Sequence, residues 1–145
     1  MSFYRDLNKV LKSGKVSFFQ LRLKNHSWES KFKIAKKIKI ICQNYKVKFL
    51  INDDPILADR VDADGCHLGQ KDMDLKSARK ILKKKIIGVT CHNSIKLAKL
   101  AERDKADYIA FGAFNSSKTK KVKYKANISL INKIKKISNI PIVAI

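Results

Sequence analysis

The sequence predicts an α/β protein built on a parallel sheet. Short runs rich in β-branched and aromatic residues alternate with stretches whose apolar residues recur at helical spacing. Caps or a glycine stop punctuate most of the helical stretches. Six strands are expected in the 145 residues, and strands separated by helices pair in parallel as βαβ units.

The elements follow in order. Phe3, Leu7, Val10 and Leu11 lie on one helical face, and Gly14 supplies a C-terminal stop. Ser17–Leu23 reads as a strand. Trp28, Phe32, Ala35, Ile38 and Cys42 form the next helical stripe, capped by Ser27. Val47–Asn52 reads as a buried strand. Asp54-Pro55 has the form of an N-cap followed by proline at the first helical position, which opens a short helix towards Val61. Gly65–Gly69 is a brief strand. Asp74 then caps a helix carrying Leu75, Ala78, Ile81 and Leu82. Ile86–Thr90 is a strand, and Asn93 is expected to cap the helix with Ile95, Ala98 and Ala101. Tyr108–Ala113 is a strand followed by a Lys-rich loop. Asn127 caps a helix carrying Ile128, Ile131, Ile134 and Ile137, and Ile140–Ile145 is the last strand. No linker, repeat or low-complexity tract divides the chain, so one domain over 1–145 is expected.

Leu, Ile, Val and Phe number 44 of 145 residues, enough to build a core despite a net charge of +21. The longest uncharged stretches, Ile86–Ile95 and Tyr108–Ser117, are about half of the ~18 residues a membrane helix needs. The first twelve residues carry four charges and no apolar run, unlike a secretory signal. Three cysteines, Cys42, Cys66 and Cys91, make no disulfide framework, so a reducing cytoplasm is expected. The 33 cations comprise 28 Lys and 5 Arg, whereas Arg is favoured for bidentate recognition of phosphates and bases. The lysines fall on expected outer helix faces without interleaved aromatics, which speaks against nucleic acid or membrane as partner. The charge is uneven: residues 53–74 hold seven of the twelve acids and sum to −5. Such an island suits either loop and cap positions or a metal site facing an anionic substrate.

Gln20, Arg22 and Lys24 recur at i, i+2 and i+4, which on a strand aims all three at one face. They are either solvated strand-end charges or the lining of a phosphate or pyrophosphate site. Within the acidic island Asp54 and Asp74 have capping work, while Asp53 and Asp72 each stand between a strand and a cap. Two such carboxylates suit Mg²⁺, which takes one or two protein carboxylates plus substrate phosphates and water, or else serve structure. Asn52 adds a neutral polar group beside them. Cys66-His67 and Cys91-His92 suggest zinc, but neighbouring strand residues point to opposite faces and chelate poorly; a lone His67 is more often structural. Thr90 and the loop Ser117-Lys118-Thr119-Lys120 offer hydroxyls and ammonium groups that suit phosphate or a polar loop equally.

Taken in order, these segments resemble thiamine-phosphate synthases. Gln20-Leu21-Arg22-Leu23-Lys24 resembles the family's Gln-x-Arg-x-Lys strand, and Ile51-Asn52-Asp53 its Ile-Asn-Asp strand end. Ala63-Asp64-Gly65-Cys66-His67-Leu68-Gly69-Gln70-Lys71-Asp72 resembles its Ala-Asp-Gly-Val-His-Leu-Gly-Gln-x-Asp block. Ile87-Gly88-Val89-Thr90-Cys91-His92 resembles Ile-Gly-Val-Ser-x-His, and Ala106-Asp107-Tyr108 through Ser117–Lys120 resembles Ala-Asp-Tyr…Thr-x-Thr-Lys. Pro141-Ile142-Val143-Ala144-Ile145 resembles the Pro-Val-Val-Ala-Ile that precedes a Gly-Gly pair. Thr90 and Ser117 depart from the family's usual Ser and Thr, and each keeps the hydroxyl.

The resemblance implies a (β/α)₈ TIM barrel with its site at the C-terminal strand ends. Such barrels run from about 200 residues upward, so some six of the eight βα units are expected here, with the first and eighth strands outside Phe3–Ile145. The resemblance thus implies a fragment of a longer enzyme, or a truncated product, carrying the pyrimidine half of the site. The implied reaction joins 4-amino-2-methyl-5-hydroxymethylpyrimidine diphosphate to a thiazole phosphate, giving thiamine phosphate and pyrophosphate. Gln20, Leu21, Arg22, Leu23, Lys24, Asn52, Thr90 and Lys120 would contact the pyrimidine diphosphate. Asp53 and Asp72 would hold Mg²⁺, and Ser117, Lys118 and Thr119 would meet the thiazole phosphate. The implied mechanism is dissociative, with Arg22, Lys24 and Lys120 offsetting charge on the leaving pyrophosphate and no protein nucleophile. A thiazole tautomerase on the same barrel, a basic nucleic-acid-binding fragment and an inert remnant are the alternatives.

Overall fold

The computed structural model describes residues 3–115 and 122–145. Among the described residues an opening helix is followed by six strands alternating with five further helices, in two units.

The first unit comprises Met1–His67 with Ile81–Ile86. It opens with α1 (Phe3–Leu11), which buries Leu7 and Leu11. Gly14, at φ +69°, takes the left-handed conformation that ends the turn after α1, its N–H donating to the Leu11 carbonyl at 3.2 Å. Strand β1 (Phe18–Leu21), helix α2 (Trp28–Asn44), strand β2 (Lys48–Asn52), helix α3 (Pro55–Arg60) and strand β3 (Gly65–Leu68) follow. β1 pairs in parallel with β2 from Phe18 against Lys48 to Leu21 against Ile51, and β2 with β3 up to Asn52 against His67. α2 buries Ala35, Ile38 and Cys42, while its lysines lie mostly on exposed positions, as an amphipathic helix requires. The Ser27 hydroxyl accepts from the Ser30 N–H, and the Asp54 carboxylate from the Leu57 N–H with Pro55 next to it. Both caps agree with the sequence expectation.

The second unit comprises Leu68–Lys80 and Ile87–Ile145. Helix α4 (Leu75–Leu82) and strand β4 (Ile86–His92) begin or end at its margins; helix α5 (Ile95–Arg103), strand β5 (Tyr108–Phe111), helix α6 (Ile128–Lys135) and strand β6 (Ile142–Ala144) lie within it. β4 pairs in parallel with β5, and β5 with β6 from Ile109 against Ile142 to Phe111 against Ala144. Val89, Cys91, Ala98, Ala101, Ile109, Phe111, Ala126 and Ile134 form its core. Asp74 and Asn127 cap α4 and α6 as expected, each side chain accepting from an N–H three residues on. The cap of α5 is Ser94, not Asn93, because the Asn93 amide donates instead to the Lys125 carbonyl at 3.2 Å. α6 ends at Lys135, so Ile137 lies outside it.

One local device occurs in both units. Ala63-Asp64 precedes β3 and Ala106-Asp107 precedes β5. Each Asp N–H donates at 2.8 Å to a carbonyl of the preceding strand, that of Phe49 or Ile87, and each carboxylate accepts the N–H of that same residue. A cation holds each carboxylate from outside: Lys39 and Lys48 at Asp64, Arg79 at Asp107. Asp62 is likewise paired with Lys85 at 2.8 Å. Of the −5 island, Asp54 and Asp74 therefore serve as caps, Asp64 as a strand clip and Asp62 as an ion-pair partner of Lys85. No described helix is long and apolar enough to cross a membrane.

Candidate active site

In the first unit, polar groups gather where β1 and β2 end. Gln20 is exposed, next to the buried Leu21 that closes β1. Its Nε2 donates to Asn52 Oδ1, on the last residue of β2, at 2.9 Å. The strand stops at Leu21 rather than at the expected Leu23, so strand alternation does not set the direction of Arg22 and Lys24. They follow the strand on exposed positions, with Leu23 half-buried between them, and Asn25 at φ +57° turns the chain away towards α2. The cationic segment is thus a strand-end loop, placed at the C-terminal end where a parallel α/β sheet holds its ligands.

Asp53 follows Asn52 with φ +69°, a conformation that costs a non-glycine residue about 1–2 kcal/mol. Its N–H donates to the His67 carbonyl at 2.8 Å, so pairing to β3 continues one residue past the strand and compensates the strained turn. His67, only 8% exposed, lies at the same level as Asn52 in the register. The polar ends of two adjacent strands are thereby locked together, with Asp53 exposed beyond them.

In the second unit, Gly69–Asp72 forms a tight turn. Asp72 Oδ2 accepts the Gly69 N–H at 2.7 Å, and a Cβ on Gly69 would stand 2.9 Å from that oxygen. Asp72 therefore has structural work that sequence spacing did not reveal. Its second carboxylate oxygen is not used in that bond, so the turn orients the side chain without consuming it. Gln70 Nε2 donates to the Thr90 carbonyl at 2.5 Å and ties the turn to β4. β4 runs beyond the expected Thr90 to His92, with a register irregularity between the two and His92 at φ +53°. The His92 ring stacks on Tyr124 at 4.3 Å between centroids. Gln70 and Tyr124 are the site-flanking residues that spacing alone did not single out; each acts through a partner at least twenty residues away. Ser117, Lys118, Thr119 and Lys120 lie outside the described residues.

Among the described residues no group of three or more His, Cys, Asp or Glu side chains is placed to hold a metal ion. Asp53 and Asp72 are oxygen donors, which suits a hard cation that needs only one or two protein carboxylates and completes its shell from substrate and water. Cys66 and Cys91 are fully buried, and burial pushes the Cys91 thiol up to about 12.

The family described as thiamine monophosphate synthase matches residues 1–145. The thiamine-phosphate synthase of Pelagibacter ubique is 66% identical over 145 residues, covering the whole chain and 70% of that protein. That of Nitrosococcus oceani is 42% identical over 133 residues, covering 91% of the chain and 61% of the relative. The structure of a thiamine phosphate pyrophosphorylase from Pyrococcus furiosus superposes with a TM-score of 0.87 at 28% identity, covering 99% of the chain and 68% of that structure. The chain thus spans between about three fifths and seven tenths of the length of these proteins. With a family match along its entire length and two thirds of its residues shared with one relative, the chain belongs to the thiamine monophosphate synthase family.

Proposed function

We propose that the chain carries out thiamine-phosphate synthesis, a transferase reaction in thiamine biosynthesis, on a (β/α)₈ framework to which it supplies six βα units. The substrates are the pyrimidine diphosphate and the thiazole phosphate. The observation that carries this reading is the Gln20–Asn52 hydrogen bond. It joins the Gln-x-Arg-x-Lys segment to the Asn-Asp strand end, so that the motif residues stand as one polar surface beside Arg22, Lys24 and Asp53.

The chemistry follows from the charges. The bond between the pyrimidine methylene carbon and the diphosphate oxygen breaks first, and its electron pair leaves with pyrophosphate. The thiazole nitrogen then donates its lone pair to the methylene cation, forming the C–N bond of thiamine phosphate. Negative charge grows on the leaving group, so fixed cations stabilise the transition state more than the ground state. Arg22, Lys24 and Lys120 take that role. Gln20 and Asn52, holding each other, contact the diphosphate and pyrimidine ring with Leu21 and Leu23 alongside. Thr90 adds its hydroxyl, and Ser117, Lys118 and Thr119 meet the thiazole phosphate. Asp53 and Asp72 would hold Mg²⁺, which when bound neutralises diphosphate oxygens and improves the leaving group. No side chain needs to act as a nucleophile; holding the two rings in line supplies much of the remaining acceleration.

The test is thiamine phosphate formation with both substrates, with and without Mg²⁺. The native chain forms product only with Mg²⁺, and Asp53→Ala and Asp72→Ala each reduce turnover by at least a hundredfold. Full turnover by either variant would remove the metal assignment, and no product from the native chain would overturn the proposed activity.

A further inference from the structure

We infer that Gln70 is a positioning residue for the diphosphate site, acting through a latch that fixes the Asp72 carboxylate against β4. This rests on the proposed role of Asp72. The latch has three linked parts in one turn. The Gly69 N–H orients Asp72 by donating to Oδ2 at 2.7 Å, the Asp72 N–H returns to the Gly69 carbonyl at 3.4 Å, and the Gln70 amide holds the turn to the Thr90 carbonyl at 2.5 Å. Without the Gln70 bond the turn loses this tie to β4 and keeps the two bonds between Gly69 and Asp72. The carboxylate would keep its local bond but lose its fixed position relative to Thr90, the residue proposed to present a hydroxyl to the same substrate.

The side chain of Gln70 is otherwise an exposed amide, with no core to fill, so its long-range bond has no packing explanation. Gly69 carries a second constraint. A Cβ there would displace Asp72 Oδ2 without striking backbone, because the side-chain carboxylate is all that lies within 4 Å. A methyl group at Gly69 would therefore push the Asp72 carboxylate aside and leave the backbone in place. Groups that orient a metal-binding carboxylate without touching the metal typically alter affinity by 10–100-fold when removed.

The readout is binding of pyrophosphate to the full chain, by equilibrium dialysis in Mg²⁺ and in EDTA, so that it does not depend on turnover. Gln70→Met removes the donor and keeps the length; Gly69→Ala moves the carboxylate and keeps Gln70. Both are expected to weaken Mg²⁺-dependent pyrophosphate binding by about tenfold, to leave the Mg²⁺-independent component unchanged, and to unfold thermally with the native chain. Gln70→Met with native Mg²⁺-dependent affinity would overturn the inference, as would equal losses in Mg²⁺ and in EDTA. Asp72→Asn separates the two levels: if it binds pyrophosphate with native Mg²⁺ dependence, the assignment of Asp72 fails, whereas loss in Asp72→Asn beside native behaviour in Gln70→Met refutes the latch alone.

Discussion

Replacing Asp64 by alanine tests the account of how the strands are held beneath the site. The carboxylate accepts the Phe49 N–H at 3.0 Å, Lys39 Nζ at 3.2 Å and Lys48 Nζ at 3.1 Å. Phe49 is fully buried, so its orphaned N–H costs about 1–3 kcal/mol. The Lys39 side chain is only 13% exposed and loses its partner, whereas Lys48 is 56% exposed and contributes little. Together about 2–4 kcal/mol of stability is lost, a large share of the 5–15 kcal/mol that typical domains possess. Urea unfolding would show this as a midpoint lower by about 1–2 M. Asp64→Asn keeps an acceptor for Phe49 and loses roughly half as much. Burial raises the Asp64 pKa, but the Phe49, Lys48 and Lys39 hydrogen bonds outweigh it and leave the net value below the ordinary 3.8. The stabilisation is therefore complete above about pH 4 and disappears as pH falls through the lowered native value. An alanine variant within about 0.5 kcal/mol of native at neutral pH would refute the clip.

Gly88→Ala should cost more than 2 kcal/mol, because its Cβ would strike the Tyr108 ring; Tyr108→Ala in the same chain should restore part of the loss in a double-mutant cycle read by denaturant unfolding. Cys91 and Cys42, raised by burial to about 12 and about 11, should be inert to a thiol reagent at pH 8 until the chain is unfolded. Their contribution to stability is complete below the unfolded thiol's 9.0 and is lost as pH rises through these native values, so the drop in stability between neutral and alkaline pH should be smaller in Cys91→Ala than in the native chain. Asn127→Ala should destabilise by about 1 kcal/mol through the lost bond to the Leu130 N–H, measured by thermal unfolding.

The parts of the fold legible in the sequence are those decided within a few residues. Ser27, Asp54, Asp74 and Asn127 cap their helices because a short polar side chain needs only the N–H three positions on. Asn93 was indistinguishable from Ser94 on those grounds; the decision came from Lys125, thirty-two residues away. The end of β1 falls short of the sequence expectation for a related reason. Its alternation continues to Leu23, but the pairing partner β2 is matched only as far as Ile51, and the chain leaves the sheet at Leu21. In the candidate site, Gln20, Asn52 and Asp53 were legible because they stand on or beside strands whose apolar runs mark their ends. The bond that holds Asp72 depends on a turn closing back on Gly69, and that of Gln70 on a carbonyl in another strand; neither leaves a periodicity to detect.

Calorimetric titration of the chain with the pyrimidine diphosphate tests the central claim most directly: that these strand ends form a site for a Mg²⁺-bound diphosphate. The account predicts saturable binding in Mg²⁺ that weakens at least tenfold in EDTA, weakens comparably in Asp53→Ala, and falls away for the pyrimidine alcohol that lacks the diphosphate. Equal affinity for the diphosphate and the alcohol, or binding indifferent to Mg²⁺, would contradict it.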